Sequence, residues 1–417
     1  MNTASASEGV RENRRTKKHS PVFLAVFTIF FFATAVCVAV TCVGIALARP
    51  AAHDTPWFWA AGKLLAHGKN PYNREAVRQI ELGMGVPLRG RDVLMVLNPP
   101  YTFFLLIPLG LLGAREAVVA WSALLLAFLI VSVKAVCAAV DGPYRSSYLL
   151  LAWFFVPAIC CIEVGQTGLI TLAGLALFLW LQEKRPAWAG AALSLCAVKP
   201  HLLFPFGVAL LAWMVVRRKW AVAWGAAAAL AAESLVAMAF DLHIWTQYRT
   251  MLRTEPFAAK PISTLGVGLR MLLDRNALWL EFVPAVVGCA WALWYFWRNR
   301  ERWDWRTHGS LVTLVSVAVA PYAWITDQVL AIPAILFALL GGRKLRKGSV
   351  TLLMAIIAAK ELQMIVTKSF LSRWDAAVAV AWIAWYLYAV SGRVGDVGDE
   401  DFVQPMTPAI LRGDSSS

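Results

Sequence analysis

Runs of about 18 or more apolar residues recur along nearly the whole of this 417-residue chain, and no other feature restricts its fold so severely. A run of that length, coiled at 1.5 Å per residue, matches the ~30 Å hydrocarbon core of a bilayer, so the chain reads as an all-α polytopic membrane protein. Charged residues are 15% of the sequence, against roughly a quarter in soluble domains. Spans are expected at about 22–48, 115–139, 147–163, 167–182, 187–199, 201–216, 220–241, 277–297, 309–322, 327–341, 350–367 and 375–391, about twelve in all. Several are short for a span and must tilt or extend. The first run ends in Ala46-Leu47-Ala48 and so mimics a signal-peptide cleavage site. Its apolar core is longer than the 7–15 residues of a signal sequence, which makes it a retained span. The organisation expected is a basic tail (1–21), one transmembrane domain (22–391) and a polar tail (392–417), both tails disordered.

A formal net charge of +14 would raise nucleic acid as a partner in a soluble protein. Here the cations fall in short loops between apolar runs, as the positive-inside rule expects, and no nucleic-acid partner is inferred. With both termini inside, the inner loops hold Arg145, Lys184-Arg185, Arg217-Arg218-Lys219, Arg298 to Arg306 and Arg343 to Lys347. The outer turns near Gly165 and Tyr322 hold no Lys or Arg, while the longer outer loop from Leu242 to Asn276 does carry basic residues. All seven cysteines lie in apolar stretches without metal-site spacing, so neither a metal site nor a disulfide framework is expected. Walker A, dinucleotide-binding and Gly-x-Ser-x-Gly patterns are missing, as is any Asp-x-Asp in the outer loops, and no cofactor is expected.

The first outer loop, about 49–114, carries the densest set of polar signals. Asp54 stands a few residues past the first run. Trp57, Ala60, Ala61, Leu64, Leu65 and Gly68 then keep helical spacing, which predicts a short interfacial helix with Thr55 as its N-cap and Pro56 in its first turn. Tyr101 to Leu112 is apolar but too short to span, and is expected to be a second surface or re-entrant helix.

Other polar residues interrupt apolar runs. Glu163-Val164-Gly165-Gln166 and Pro321 to Gln328, with Asp327, mark two further outer breaks. Lys199-Pro200-His201 breaks a third, where a lysine can equally snorkel to the surface. Arg249 and Arg253 are spaced i, i+4 on a helix face, with Ser263 and Arg270 beyond, and each alone fits a solvated surface. Glu233, Lys360 and Glu361 lie deep in apolar runs, where a functional role and a structural interhelical pairing are both open.

Taken together and in order, these pieces resemble glycosyltransferase family 87. The pieces are Asp54 through Asn70-Pro71-Tyr72, Asn98-Pro99-Pro100, Gly165-Gln166, Trp188-Ala189-Gly190 leading to Lys199-Pro200, Arg217-Arg218-Lys219-Trp220 and Pro321-Tyr322-Ala323-Trp324. The resemblance covers roughly residues 22–391 and implies a GT-C-like bundle in a bacterial inner membrane. It also implies a catalytic aspartate, here Asp54, and a polyprenyl-phosphate sugar donor, with mannose the sugar suggested. Two departures from the family pattern, Pro261-Ile262-Ser263 and Thr326-Asp327, bear on sugar and acceptor more than on reaction type.

The reaction so implied is inverting transfer to a lipid or glycan acceptor on the extracytoplasmic face. In it Asp54 serves as base, and Lys199 holds the donor phosphate with help from Arg249 and Arg253. His53, Tyr72, Gln166, His201, Ser263, Tyr322 and Asp327 are the further substrate-binding candidates. The competing reading is a transporter or lipid-handling protein without covalent chemistry, which would depend on Glu233, Lys360 and Glu361 rather than on Asp54.

Overall fold

A computed structural model describes residues 54–83, 95–140, 146–254, 263–341, 345–367 and 374–391. The expected first span, His53 and both tails fall outside these residues. Every regular element among the described residues is helical. The helices are α1 (Thr55–Ala66), α2 (Arg74–Gly83), α3 (Phe103–Gly110), α4 (Ala114–Ala139), α5 (Ser146–Trp153), α6 (Val156–Val164), α7 (Gly168–Leu181), α8 (Pro186–Ala192), α9 (Phe204–Val216) and α10 (Trp220–Phe240). They continue as α11 (Ile244–Thr254), α12 (Leu265–Leu273), α13 (Val283–Asn299), α14 (His308–Val319), α15 (Ile332–Leu340), α16 (Ser349–Thr367) and α17 (Asp375–Ser391). Short 3-10 segments at Leu193–Val198, Pro200–Leu203, Leu278–Phe282 and Ile325–Ala331 join or extend several of them.

Among the described residues, three stretches are long and apolar enough to cross a membrane without a break: Ala114–Ala139, Trp220–Phe240 and Leu278–Arg302. The expected spans 187–199 and 201–216 are each shorter than an unbroken crossing. They form one apolar pair, Pro186–Val198 and Pro200–Val216, bent by 118° at Lys199. The cause is local. The Pro200 ring disfavours helical geometry in the residue before it, and Lys199 accordingly sits at φ −134°, ψ 70°. The expected span 147–163 is likewise two helices, α5 and α6, because Phe155 turns extended (ψ 107°) ahead of Pro157 in the first turn of α6. The segments 168–181, 308–319, 325–340 and 375–391 are apolar but shorter than an unbroken crossing.

The first-loop helix forms over Thr55–Ala66, with one correction: Asp54 takes the N-cap position and Thr55 is the first helical residue. Its burial depends on small residues. A methyl group at Gly62 would lie 2.0 Å from the Leu106 carbonyl oxygen, and one at Gly110 would lie 2.2 Å from the Gly62 carbonyl carbon, so α1 and α3 pack backbone to backbone. The same device joins α8 to α10, where Gly190 faces the Val222 carbonyl and Gly225 the Ala187 carbonyl. Helix α2 is a short amphipathic element without a counterpart among the expected elements; the Asn73 side chain accepts from the Ala76 amide at its start.

Candidate functional site

Four polar side chains from four separate parts of the chain join in one continuous line of hydrogen bonds. Asp54 comes first. Its backbone amide donates to the Val164 carbonyl (2.8 Å), which ties the start of α1 to the end of α6. An aspartate at an N-cap normally accepts from the helix amides that follow. Asp54 makes no such cap bond; its Oδ2 instead accepts from the Gln166 side-chain amide.

Gln166 reaches Asp54 because α6 ends in a left-handed turn. Gly165 adopts φ 79°, a region open to glycine at little cost, and the Gln166 amide closes the turn on the Cys161 carbonyl (2.9 Å). The turn is braced from two sides. The fully buried Trp121 indole donates to the Gly165 carbonyl (2.7 Å), and a Cβ at residue 165 would lie 2.4 Å from Thr55 Oγ1. Gln166 itself is buried.

Lys199 occupies the 118° bend, off the helical path, and its ammonium points into the interior. Its Nζ donates to Gln166 Oε1 (3.0 Å) and to Asp327 Oδ1 (2.6 Å). With side chains 10% and 0% exposed, Lys199 and Asp327 form a desolvated ion pair rather than a snorkelling contact. Asp327 is the third residue of the 3-10 segment Ile325–Ala331, and its Oδ2 reaches back to accept from the Trp324 amide (2.9 Å). An ammonium has three donors. Two are used among the described residues, which leaves one N–H for an anion.

His201 and Tyr322 border this line. Their rings meet edge to face at 5.7 Å, and His201 feels the charges of both Asp327 and Lys199. His201 Nε2 is buried without a hydrogen-bond partner among the described residues. Such a group is uncommon in a folded interior and suits a site that awaits a ligand.

The remaining expected residues are placed differently. Tyr72 is buried and supports the site at one remove. Its hydroxyl donates to the Asn98 carbonyl (2.8 Å), and the Asn98 amide donates to the carbonyl of Val198 (2.8 Å), next to Lys199. Asn98, quoted in the sequence only as part of a Pro-rich motif, is thus a brace for the bend. Arg249 and Arg253 lie on the exposed side of α11 and make no ion pair among the described residues, while Ile244 and Met251 of the same helix turn inward. Ser263 is half-buried beside Thr264, the N-cap of α12.

Two of the three deep charges, Glu233 and Lys360, find partners of their own. Glu233 accepts from the Ser194 hydroxyl (2.6 Å). Lys360 pairs with Asp375 (2.6 Å), and Gln328 bridges the Asp375 carbonyl and the Trp382 indole. Asp375 and Gln328 were not singled out in the sequence, since each becomes informative only once α17 is seen against the Ile325–Ala331 segment.

The sequence profile of glycosyltransferase family 87 matches residues 97–321, just over half of the chain. The match includes Gln166, Lys199 and His201; Asp54 precedes it and Asp327 follows it. No curated protein and no solved structure matches the chain.

Proposed function

The chain belongs to glycosyltransferase family 87, and from that premise we propose that it transfers a sugar, mannose, from a polyprenyl monophosphate to a lipid or glycan acceptor. The reading has a membrane glycosyltransferase act on the extracytoplasmic face of a bacterial inner membrane, with both tails in the cytoplasm around a catalytic domain of residues 22–391. One observation carries it: a carboxylate and a buried ammonium are linked through a single amide, Asp54 to Gln166 to Lys199.

In the proposed step Asp54 accepts the proton of the acceptor hydroxyl while that oxygen bonds to the anomeric carbon. The bond from that carbon to the phosphate oxygen breaks, and the electron pair leaves with the polyprenyl phosphate. The phosphate departs as an anion and needs a cation more than an acid. Lys199 supplies it through its remaining N–H, and His201 Nε2 is a second group on the same side. Gln166 orients both Asp54 and Lys199, which fixes the distance between base and leaving-group cation. A single displacement inverts the anomeric centre. Arg249 and Arg253, exposed on α11, stand outside the hydrogen-bonded line, so the phosphate role rests on Lys199.

Charge placement supports the sidedness. Lys184-Arg185 precede α8, Arg217-Arg218-Lys219 follow α9, and Arg298 to Arg306 run from the last turn of α13 to just before α14. Lys199 stands at the opposite ends of α8 and α9, and Asp327 beyond the opposite end of α14. A cation-rich end is the cytoplasmic one by the positive-inside rule. The test is Asp54→Asn, assayed in membranes with a labelled polyprenyl-phosphate sugar. A fall of at least about 10²-fold in turnover at normal expression is expected; turnover near that of the parent removes Asp54 as the base.

A further inference from the structure

The segment between α10 and α13 reads from sequence as an outer loop, Leu242 to Asn276, yet part of it carries an exposed apolar face. Helix α12 folds back on Leu278–Phe282 through the polar turn Asp274-Arg275-Asn276. The two arms touch closely: a Cβ on Gly266 would lie 2.2 Å from the Glu281 carbonyl oxygen, and Arg270 Nε lies 2.9 Å from Glu281 Oε1. Both charged side chains are thereby turned into the hairpin, 9% and 14% exposed. The opposite side is apolar and bare. Leu272 is 84% exposed, Leu273 68% and Trp279 67%, with Met271 and Phe282 beside them.

We propose that this hairpin lies within the lipid of the leaflet nearest the reaction centre, with acyl chains covering Met271, Leu272, Leu273, Trp279 and Phe282. Continuity points to lipid rather than to a protein partner. Leu278–Phe282 are the first residues of the crossing stretch Leu278–Arg302, and their exposed face runs on into Val286 and Val287, 66% and 62% exposed on α13. Whatever covers that crossing helix covers the hairpin packed on it. Nine helical residues rise about 13.5 Å, roughly half of a hydrocarbon core. A half-span can sit in one leaflet provided its charges are neutralised and its tip is polar, and Arg270–Glu281 and Asp274-Arg275-Asn276 meet those conditions.

The consequence reaches the site. At the base of the hairpin, Thr264 Oγ1 donates to the Pro321 carbonyl (3.4 Å) in the segment that leads to Tyr322 and Asp327. Lipid packing on α12 therefore bears on the position of that segment.

The experiment places the photoreactive residue benzoylphenylalanine at Leu272 in the full chain, in nanodiscs of phosphatidylethanolamine and phosphatidylglycerol. Intact-mass measurement then counts lipid adducts after illumination. Val286 on the crossing helix is the positive reference and Arg275 at the polar tip the negative one. A yield at Leu272 of at least a third of that at Val286, and above that at Arg275, is expected. A lower yield overturns the proposal, as does a yield no greater than that at Arg275. If the Leu272 variant does not insert, Met271 carries the probe under the same criterion. The inference rests on the membrane placement of Leu278–Arg302 and not on sugar chemistry. Full turnover by Asp54→Asn would leave it standing, and a failed crosslink would leave the role of Asp54 standing.

Discussion

Replacing Asp327 by Asn should destabilise the protein strongly, and replacing Lys199 by Gln at the same time should undo most of the loss. The charges are 2.6 Å apart and almost fully desolvated. At an effective dielectric of about 20, their attraction is on the order of 6 kcal/mol. Much of that offsets desolvation, so the measurable quantity is the cost of removing one partner, roughly 3–5 kcal/mol, because a buried charge is left uncompensated. Asp327→Asn strands the Lys199 ammonium, and Lys199→Gln strands the Asp327 carboxylate, which among the described residues keeps the Trp324 amide. The double variant holds two neutral amides able to bond each other and should be more stable than either single. The assay is thermal unfolding of all four proteins in one detergent at one scan rate, with ranking rather than absolute free energy as the readout. Turnover supplies the second readout. The double variant should fold yet stay inactive, since it lacks the cation assigned to the leaving phosphate. A double variant as unstable as the sum of the two singles would refute the coupling, and an active one would refute the role of Lys199.

Gly165→Ala should lower turnover at least tenfold and reduce stability, because φ 79° costs an alanine about 1–2 kcal/mol and its Cβ would meet Thr55 Oγ1 at 2.4 Å; a melt and an activity assay on the same preparation check both. Thr264→Val removes the hydroxyl that accepts from the Val267 amide and donates to Pro321, and should cost about 1 kcal/mol together with a measurable fall in turnover. Glu81 on α2 is buried, and burial pushes its carboxyl up from 4.5 to about 7. The folded form then holds a proton that the unfolded form has released, so this group's stabilising contribution is complete below about pH 4.5 and is lost as pH rises through about 7. Melting temperature against pH should show this decline, and Glu81→Gln should flatten it.

How much of this was visible in the sequence follows from the range of each interaction. Lys199 was legible because a lysine followed by proline inside an apolar run is a local oddity. Its 118° bend was not, since proline fixes where a helix stops and not the direction in which the next one leaves. Hydropathy therefore counted 187–199 and 201–216 as two spans. The i, i+4 pair Arg249 and Arg253 was legible as one face of a helix. Which way that face points depends on Ile244 and Met251 packing inward, a tertiary fact. Asp54 and Asp327 were both visible as polar interruptions. Their connection through Gln166 and Lys199 spans 112, 33 and 128 residues of sequence, a range at which spacing carries no signal.

Each member of the polar line stands at the end or a break of a helix: Asp54 at the start of α1, Gln166 after the left-handed end of α6, Lys199 between two bent halves, and Asp327 in a 3-10 segment. Within a bilayer an interrupted helix is tolerable only where protein or a polar cavity satisfies the freed backbone groups. Here the side chains of the line perform part of that service. Asp327 takes the Trp324 amide, and Asp54 lies at the positive end of α1, whose dipole favours a carboxylate. Uninterrupted helices would give this chain more continuous spans and no place for an ionised pair. The breaks that make its apolar helices look too short in a hydropathy count are the same ones that let a carboxylate and an ammonium face each other inside the protein.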